Sequence, residues 1–360
     1  MGQLKEAYMK RRMSHAIAML SLFTFFLAGV GTALAEDFYA GKTIRFVVGY
    51  APGGGYDTFA RAVARHFGRH VPGKPSTLVE NMDGASSLVS ANYLFNKAEP
   101  DGLTLGSWNA NLIMQQALSG RGIRFDARKF GWIGAPSVGM PTCVIMGFTG
   151  LRTWAEVLAA KRELKMGGTR PGAGTDDFPK LLNELMGTKF KVISGYKGTG
   201  PIRVAMQKRE VEGACWTWDS MRVTARAMLD AQGDEKLVPF IVHGKSEDPE
   251  VKDLPQFTKV IKGEANVKAF KAYVNPYDFQ RPLSLPPNTP ADRISVLRQA
   301  FKETMEDREF LAEAEKSKLL TTYISGEQIE NYIEEILALP EDAKKKLKFL
   351  TSVKEKKPTN

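Results

Sequence analysis

Residues 44–71, IRFVVGYAPGGGYDTFARAVARHFGRHV, carry the pattern that decides the fold of this chain. The stretch begins with an apolar run at 44–48 that is typical of a buried strand. It ends with Phe59, Val63 and Phe67 at the three- to four-residue spacing of one helical face. A proline and three successive glycines lie between the two patterns and allow a sharp turn. The stretch therefore predicts a strand, a glycine-rich turn and a helix.

The turn is also a candidate anion-binding site. The first N–H groups of a helix have no acceptor within the helix, and the helix dipole favours negative charge at that end. We expect Gly53, Gly54, Gly55 and Tyr56 to present such groups to a carboxylate, and Asp57 to cap the helix at the rim of the site. A tight turn that binds no ligand is the alternative interpretation.

The N-terminal residues 1–35 have the composition of a secretory signal. Basic residues at 10–12 precede an apolar run at 16–30, and the small-residue site Ala33-Leu34-Ala35 follows. The apolar run is short for a membrane span, which needs about 20 residues, although a retained anchor is the alternative. We therefore expect cleavage before Glu36 and an exported protein that is soluble afterwards.

The formal net charge of the 360-residue chain is +10, and part of the excess lies in a lysine-rich segment at 344–357, which we interpret as a solvated tail. Positive charge can steer anionic solutes toward a cleft. Export removes nucleic acid as a partner, and the chain has no basic motif with interleaved aromatic residues. We expect a small anionic solute rather than nucleic acid.

The side chains that bind metals or form disulfides are few. Cys143 and Cys215 would enter an oxidising compartment, where a disulfide between them and two buried thiols are both open interpretations. His66 and His70 have a spacing that could hold zinc, but no third ligand is evident, so we interpret them as part of an exposed helical face. We expect no metal and no cofactor.

The sequence lacks the motifs of common enzyme classes. It has no GxSxG pattern and no Cys–His pattern that would activate a nucleophile. The first glycine loop has Thr58 where the last glycine of the dinucleotide pattern belongs, and no Walker lysine stands at the required spacing. We therefore expect a protein that is not an enzyme.

A strand, a glycine-containing loop and a helix start occur together at 53–57, 168–176 and 196–200. Alternating strands and helices favour α/β layers with parallel sheet, in which ligands bind at the carboxyl ends of the strands. Loops from two blocks that meet on one small molecule are typical of a hinged, two-lobed Venus flytrap with a central cleft. We predict that residues 36–137 and 263–360 form the first lobe and that residues 138–262 form the second.

Local sequence also predicts how several helices begin. The segments 153–156 and 325–328 fit the capping box, in which two side chains satisfy helix N–H groups reciprocally. The segment 289–292 combines an N-cap threonine with a helix-opening proline. Asp219 is predicted to cap the helix that follows a strand at 211–216.

Five motifs in order resemble a known family. They are APGGGYDTFAR at 51–61, VENMDGA at 79–85, EPDGLTLG at 99–106, GGTRPGAGTDD at 167–177 and GYKGTGP at 195–201. Together they resemble the substrate-binding proteins of tripartite tricarboxylate transporters, the Bug family. The resemblance implies two α/β lobes that close on a small carboxylated solute in the periplasm. It also implies delivery of that solute to the membrane permease subunits by a protein that we expect to be a monomer.

Two segments depart from the pattern of that family. Residues 84–87 read Gly-Ala-Ser-Ser where the family usually has a glycine-richer run. Residues 215–221, CWTWDSM, bring Trp216 and Trp218 where the family tends to have lighter residues. These departures affect the choice of ligand more than the fold, and the aromatic residues make an aromatic acid an alternative to a di- or tricarboxylate.

The remaining candidate ligand-binding residues follow strand ends or lie in the family-like loops. Trp108 and Asn109 follow a strand end, although an ordinary packed tryptophan is the alternative for Trp108. Arg170 could bind a distal carboxylate, and exposure to solvent is the alternative. Asp219 is interpreted as a helix cap, and a ligand contact is the alternative. The other candidates are loop residues that offer donors or could seal the cleft, namely Thr169, Gly174, Thr175, Tyr196, Lys197 and Gly198.

The leading hypothesis is therefore a carboxylate-binding protein that serves a transporter. A module that docks on a membrane sensor kinase when liganded is the alternative, and sequence cannot separate the two. Genes for a large and a small membrane subunit beside this gene would favour transport, whereas a sensor kinase gene would favour signalling.

Overall fold

The computed structural model describes residues 38–351, so the predicted signal peptide at 1–35 and the lysines at 354–357 lie outside the described residues. Within this range eleven strands, β1–β11, occupy Thr43–Val48, Ser76–Asn81, Thr104–Ser107, Gly131–Ala135, Pro141–Met146, Leu164–Gly167, Phe190–Ile193, Gly213–Thr217, Leu237–Val242, Leu283–Leu285 and Ile324–Ser325.

Fourteen α-helices occur in the same range. In chain order α1–α14 occupy Gly55–Phe67, Leu88–Asn96, Asn111–Ala117, Trp154–Ala159, Gly174–Met186, Thr199–Gln207, Trp218–Thr224, Arg226–Asp230, Phe257–Val260, Glu264–Val274, Ala291–Glu306, Arg308–Lys316, Gly326–Leu337 and Glu341–Thr351. None of the helices within residues 38–351 is long and apolar enough to cross a bilayer.

The strands form two mixed sheets. The first has the order β11-β4-β10-β3-β1-β2, and β1 pairs in parallel with both β2 and β3. The second has the order β7-β6-β8-β5-β9, and β6 pairs in parallel with both β7 and β8. The strands β10 and β5 are antiparallel to their neighbours. The predicted two-lobed α/β architecture is confirmed, with one sheet in each lobe.

The chain crosses between the sheets twice, from β4 to β5 and from β9 back to β10. The two crossing segments are tied together where Gln280 N–H donates to Ser137 O at 2.8 Å. The strands of each sheet fall inside the predicted lobe ranges, whereas α14 of the first range packs on α5 of the second. The division at 138 and 262 stays a prediction.

The opening strand, turn and helix form as predicted, because one apolar face of each element is buried in the same core. Phe46 of β1 and Phe59, Val63 and Phe67 of α1 belong to one buried cluster. The rings of Phe46 and Phe67 meet edge to face, with centroids 5.4 Å apart. This packing holds α1 against β1, and the glycine turn connects the two elements.

The capping boxes at 153–156 and 325–328 are confirmed. The N-cap predicted for Thr289 is wrong, because Pro290 flanks α11 and the Thr289 hydroxyl donates to Pro286 O at 2.8 Å. The solvated tail predicted at 344–357 is wrong for residues 344–351, because they belong to α14, which buries Leu347 and Leu350.

The predicted exposed face of His66 and His70 is also wrong. His66 is buried, and its Nε2 lies 2.7 Å from Glu313 Oε2 of α12. His70 Nε2 lies 2.7 Å from Asp307 Oδ2, just before the same helix. In residues 38–351 no group of three or more His, Cys, Asp or Glu side chains could hold a metal ion. The two histidines thus join α1 and the turn that follows it to α12 and its N-cap.

Cys143 and Cys215 form a disulfide, so the first of the two open interpretations holds. The two residues are register partners on the antiparallel strands β5 and β8, at the centre of the second sheet. Both side chains are fully buried.

We expect the Cys143→Ala/Cys215→Ala double variant to lose about 2–4 kcal/mol of unfolding free energy. The bond spans 72 residues of sequence and therefore restricts the unfolded chain strongly. Urea denaturation of the oxidised wild type and of the variant measures the difference. Equal midpoints and equal slopes for the two proteins would contradict this prediction.

Candidate functional site

A cavity of about 70 Å³ lies between the two lobes. Its walls come from the loops after β1, β3, β6, β7 and β8 and from the returning crossing segment that contains Tyr277, Gln280 and Arg281. This volume has room for a few waters or for part of a small organic molecule. The cavity is the site at which the predicted loops converge.

Three helices begin at the cavity wall. Gly55 is the first residue of α1, Gly174 is the first of α5 and Thr199 is the first of α6, and all three line the cavity. These helices follow β1, β6 and β7, which run parallel to their neighbours in the sheets. Each helix N-terminus carries N–H groups without helical acceptors and a partial positive charge. The cavity is therefore a favourable place for an anion.

The three helices are not capped by side chains. Their N-cap residues are Gly54, Ala173 and Gly198, and none of them makes a side-chain cap hydrogen bond. Helices in proteins usually begin with Ser, Thr, Asp or Asn, whose side-chain oxygen occupies one of the free N–H groups. No side-chain oxygen caps the three helices that begin at this cavity, so the oxygens of a bound ligand can accept hydrogen bonds from their first N–H groups.

Two glycines allow the walls to approach closely. A Cβ added to Gly55 would lie 2.1 Å from Ser220 Oγ and 2.7 Å from Ser220 Cβ of the opposite lobe. A Cβ added to Gly174 would lie 2.0 Å from Tyr277 Oη. Any larger residue at these two positions would therefore push the lobes or the crossing segment apart.

Asp57 does not cap α1, so that part of the prediction is wrong. Gly54 flanks the helix, and Asp57 lies in the first turn, where its carboxylate accepts hydrogen bonds from Gly53 N–H at 2.9 Å and from Arg61 Nε at 2.9 Å. Burial alone would raise the pKa of Asp57, but these bonds and one from Asn81 hold the pKa below its usual value. Asp57 is ionised and occupies the N–H group of Gly53.

Seven of the predicted site residues line the cavity: Gly54, Gly55, Tyr56, Asn109, Thr169, Gly174 and Thr175. The other eight predicted residues lie outside the lining: Gly53, Asp57, Trp108, Arg170, Tyr196, Lys197, Gly198 and Asp219. Trp108 is buried in the adjoining core, where its Nε1 donates to Ser284 Oγ at 2.8 Å.

Polar contacts near the cavity-lining residues join the two lobes. Lys197 Nζ lies 3.2 Å from Asp83 Oδ2, and Lys197 O accepts from Ala51 N–H at 3.3 Å. Arg170 Nη1 donates to Ala85 O at 3.4 Å. The hydroxyls of Ser86 and Thr169 lie 3.0 Å apart. Direct polar contacts therefore join the two lobes.

Trp216, which the sequence associated with the choice of ligand, also lines the cavity. Sequence reasoning missed eight further lining residues: Tyr50, Ala173, Thr199, Thr217, Ser220, Tyr277, Gln280 and Arg281. Thr217 is the last residue of β8 and Ser220 follows it, so the strand-end rule that indicated Asn109 could have found them. The residues of the crossing segment follow no glycine loop and had no comparable signal.

Two half-buried tyrosines, Tyr50 and Tyr56, supply neutral polar groups to the cavity. Burial raises the pKa of both Tyr50 and Tyr56, so their hydroxyls stay protonated at neutral pH. The Tyr50 hydroxyl lies 2.8 Å from Ser86 Oγ and accepts from Asn109 Nδ2 at 3.0 Å. These groups can orient a polar ligand without adding charge.

The cap predicted for Asp219 is wrong, since Thr217 flanks α7 and Asp219 lies in the first turn. Its carboxylate instead pairs with Arg281, with Nη1 and Oδ2 2.5 Å apart and both side chains at most 2% exposed. Arg281 Nη1 also donates to Ser137 Oγ at 2.6 Å. A buried ion pair of this kind is held in place by further hydrogen bonds.

Solved structures of similar fold include BugD, MatC and Rpa4515. The periplasmic binding protein BugD is 17% identical to this chain in sequence, with a TM-score of 0.68. The match covers 87% of this chain and 98% of the BugD chain. MatC from Rhodopseudomonas palustris, solved with bound malate, is 19% identical with a TM-score of 0.65, and the match covers 84% of this chain and 99% of MatC. Rpa4515 from R. palustris, solved with adipate, is 17% identical with a TM-score of 0.68, and the match covers 85% of this chain and 97% of Rpa4515.

No protein-family model matches the sequence. No curated protein matches it significantly either. The likeness to the solved structures extends over both lobes and over nearly all of each compared chain. This chain therefore has the two-lobed α/β fold of periplasmic solute-binding proteins such as BugD, as the resemblance of its sequence motifs implied.

Proposed function

We propose that this chain is a periplasmic solute-binding protein of the Bug family, which captures a small carboxylate between its lobes and delivers it to a tripartite tricarboxylate transporter permease. The observation that carries the proposal is the convergence of three helix N-termini without side-chain caps on one interlobe cavity. Such an arrangement stabilises a negative charge without needing a cation at every contact.

The magnitudes support this proposal. Micromolar binding needs about 8 kcal/mol. A charge-assisted hydrogen bond contributes roughly 1.5–3 kcal/mol, and a partly buried helix N-terminus adds up to about 2 kcal/mol. Three helix starts with hydroxyl and amide side chains around them can reach this range. The fold shared with MatC, solved with malate, and with Rpa4515, solved with adipate, supports the same class of ligand.

We propose different roles for the two groups of predicted residues. The seven that line the cavity contact the ligand, through N–H groups at Gly54, Gly55 and Gly174 and through side chains at the others. Arg170 and Lys197 act at the rim, where they bring the lobes together around a bound solute. We expect the acid to be released chemically unchanged, because the proposed role is binding and delivery.

A thermal-shift screen tests this proposal. Malate, adipate, citrate and benzoate are each added at millimolar concentration, with the corresponding neutral amides as controls. A ligand present at 100 times its Kd stabilises the folded protein by about 2.7 kcal/mol, which raises the melting temperature by several degrees. We expect at least one acid to give this shift and its amide to give much less. If no acid raises the melting temperature, the proposed function is wrong.

A further inference from the structure

Arg281 has an unusual position for a cation. It lines the cavity, yet it is only 2% exposed. It has a φ of +60°, a conformation that costs a non-glycine residue energy and persists only where the surroundings impose it. Its guanidinium lies over the ring of Phe59, with the central carbon 4.1 Å from the ring centroid. The surroundings therefore hold the cation in one place.

The guanidinium retains donors that the protein does not use. Nη1 donates to Ser137 Oγ at 2.6 Å, and it lies 2.5 Å from Asp219 Oδ2 in an ion pair that is not aligned as a hydrogen bond. Nη2 makes one long hydrogen bond of 3.3 Å to Thr217 Oγ1. Nε has no hydrogen-bond partner among the described residues. A guanidinium has five N–H groups, and Ser137 and Thr217 accept from two of them, so at least the N–H of Nε and the second N–H of Nη2 remain for a ligand.

The free side of the guanidinium lies beside the start of α1. Nη2 is 3.1 Å from the position that a Cβ on Gly55 would occupy. Gly55 begins α1, where the N–H groups proposed to bind a carboxylate are located. A carboxylate seated at this helix start would therefore meet the guanidinium as well.

We propose that Arg281 is a further ligand-binding residue, whose guanidinium binds the same carboxylate as the N-terminus of α1, and that Asp219 positions it. This inference rests on the proposed function. Backbone N–H groups donate to a neutral amide carbonyl as well as to a carboxylate, whereas a full positive charge in a buried site distinguishes the two. Arg281 therefore makes the cavity selective for an ionised acid over its amide.

Asp219 has two effects in this arrangement. It compensates the buried charge of Arg281 when the cavity is empty, since an unpaired buried cation would be strongly destabilising. It also competes with the ligand for the guanidinium. Replacing Asp219 by asparagine should therefore strengthen acid binding, whereas replacing both partners should remove the charge without leaving either one unpaired.

The test uses calorimetric titrations with malate, adipate and benzoate, each paired with its neutral amide. The proteins are the wild type, Asp219→Asn, and the double variant Arg281→Gln/Asp219→Asn. Arg222→Gln is the matched control, because Arg222 lies on the same helix as Asp219 but pairs with Asp248 outside the cavity lining.

We expect the double variant to bind the preferred acid about 30-fold more weakly or worse, with its preference for acid over amide largely lost. Arg222→Gln should keep both properties. A folded double variant with the acid affinity and the preference of the wild type would overturn the inference while leaving the proposed function intact. If the wild type binds none of the acids, both are overturned.

In Asp219→Asn the amide oxygen can still accept a hydrogen bond from the guanidinium, so Arg281 keeps a polar partner, and this single variant is the test if the double variant does not fold. Acid binding that is several-fold tighter than in the wild type supports a guanidinium shared between Asp219 and the ligand. Unchanged or weaker acid binding in this variant would overturn the inference.

Discussion

Gly55→Ala should lower carboxylate affinity by at least about 100-fold, the largest effect that we expect from a single methyl group in this protein. The added Cβ would stand 2.1 Å from Ser220 Oγ and 2.7 Å from Ser220 Cβ. Real Cβ atoms essentially never lie within 3.0 Å of another heavy atom, so these atoms would have to move apart. Ser220 belongs to the opposite lobe, so the two walls cannot meet around a ligand. Alanine favours the helix itself by roughly 1 kcal/mol over glycine, so the variant should still fold.

Titration of the variant with the acid preferred by the wild type measures this loss. The matched comparison is Gly55→Ala/Ser220→Gly, which removes both of the closest contacts and leaves Arg281 Nη2 at 3.1 Å. The affinity of this double variant should return toward that of Ser220→Gly alone. A Gly55→Ala protein that binds the acid as tightly as the wild type would show that the lobes do not close over this helix start.

Asp177→Asn should remove a large pH dependence of stability. Asp177 is fully buried at the start of α5, and burial raises its pKa to about 7. Lys180, a 2.8 Å hydrogen bond from Tyr273 Oη and a 3.0 Å hydrogen bond from Gly172 N–H each lower this pKa, but the effect of burial is larger. In an unfolded chain the same carboxyl has a pKa near about 3.9.

The direction of the effect follows from proton counting. Between about pH 4 and pH 7 the folded protein keeps a proton on Asp177 that the unfolded chain has lost. Its unfolding free energy therefore falls as pH rises, by about 1.4 kcal/mol per pH unit and by roughly 4 kcal/mol at most. Asparagine does not titrate, and it can accept from Gly172 N–H and donate to Tyr273 Oη.

Urea denaturation at pH 5 and pH 8 measures this difference. The stability of Asp177→Asn relative to the wild type should rise by roughly 2–3 kcal/mol between the two pH values. Asp126→Asn is the control, because a hydrogen bond from Arg128 lowers the pKa of Asp126 to about 2, so this group does not titrate in the range. Parallel pH profiles for Asp177→Asn and the wild type would refute the prediction.

The local patterns in the sequence carried most of the fold. The apolar spacing of Phe59, Val63 and Phe67 placed α1, and the glycine loops placed the starts of α1, α5 and α6 at one cavity. These predictions succeeded because they depend on the period of neighbouring residues and on backbone conformation. Signals of this kind depend only on residues that are close together in the sequence.

The failures involve contacts between distant residues. Asp219 looks like a cap from its neighbours, but its partner Arg281 lies 62 positions further along the chain, in a crossing segment with no local motif. Trp108 follows a strand end as expected, and only the packing of the sheet decides that it turns toward Ser284 instead of the cavity. Tertiary packing determines such choices, and a single sequence does not specify them.

A crystal structure of the protein with its preferred acid, at saturating concentration, is the most direct test. A carboxylate oxygen should lie about 3 Å from the first N–H groups of α1, with a second contact to Arg281 and further contacts to the start of α5 or α6. A carboxylate that is bound elsewhere, or one that faces Trp216 while the start of α1 contacts only solvent, would contradict the proposal that uncapped helix starts recognise the solute.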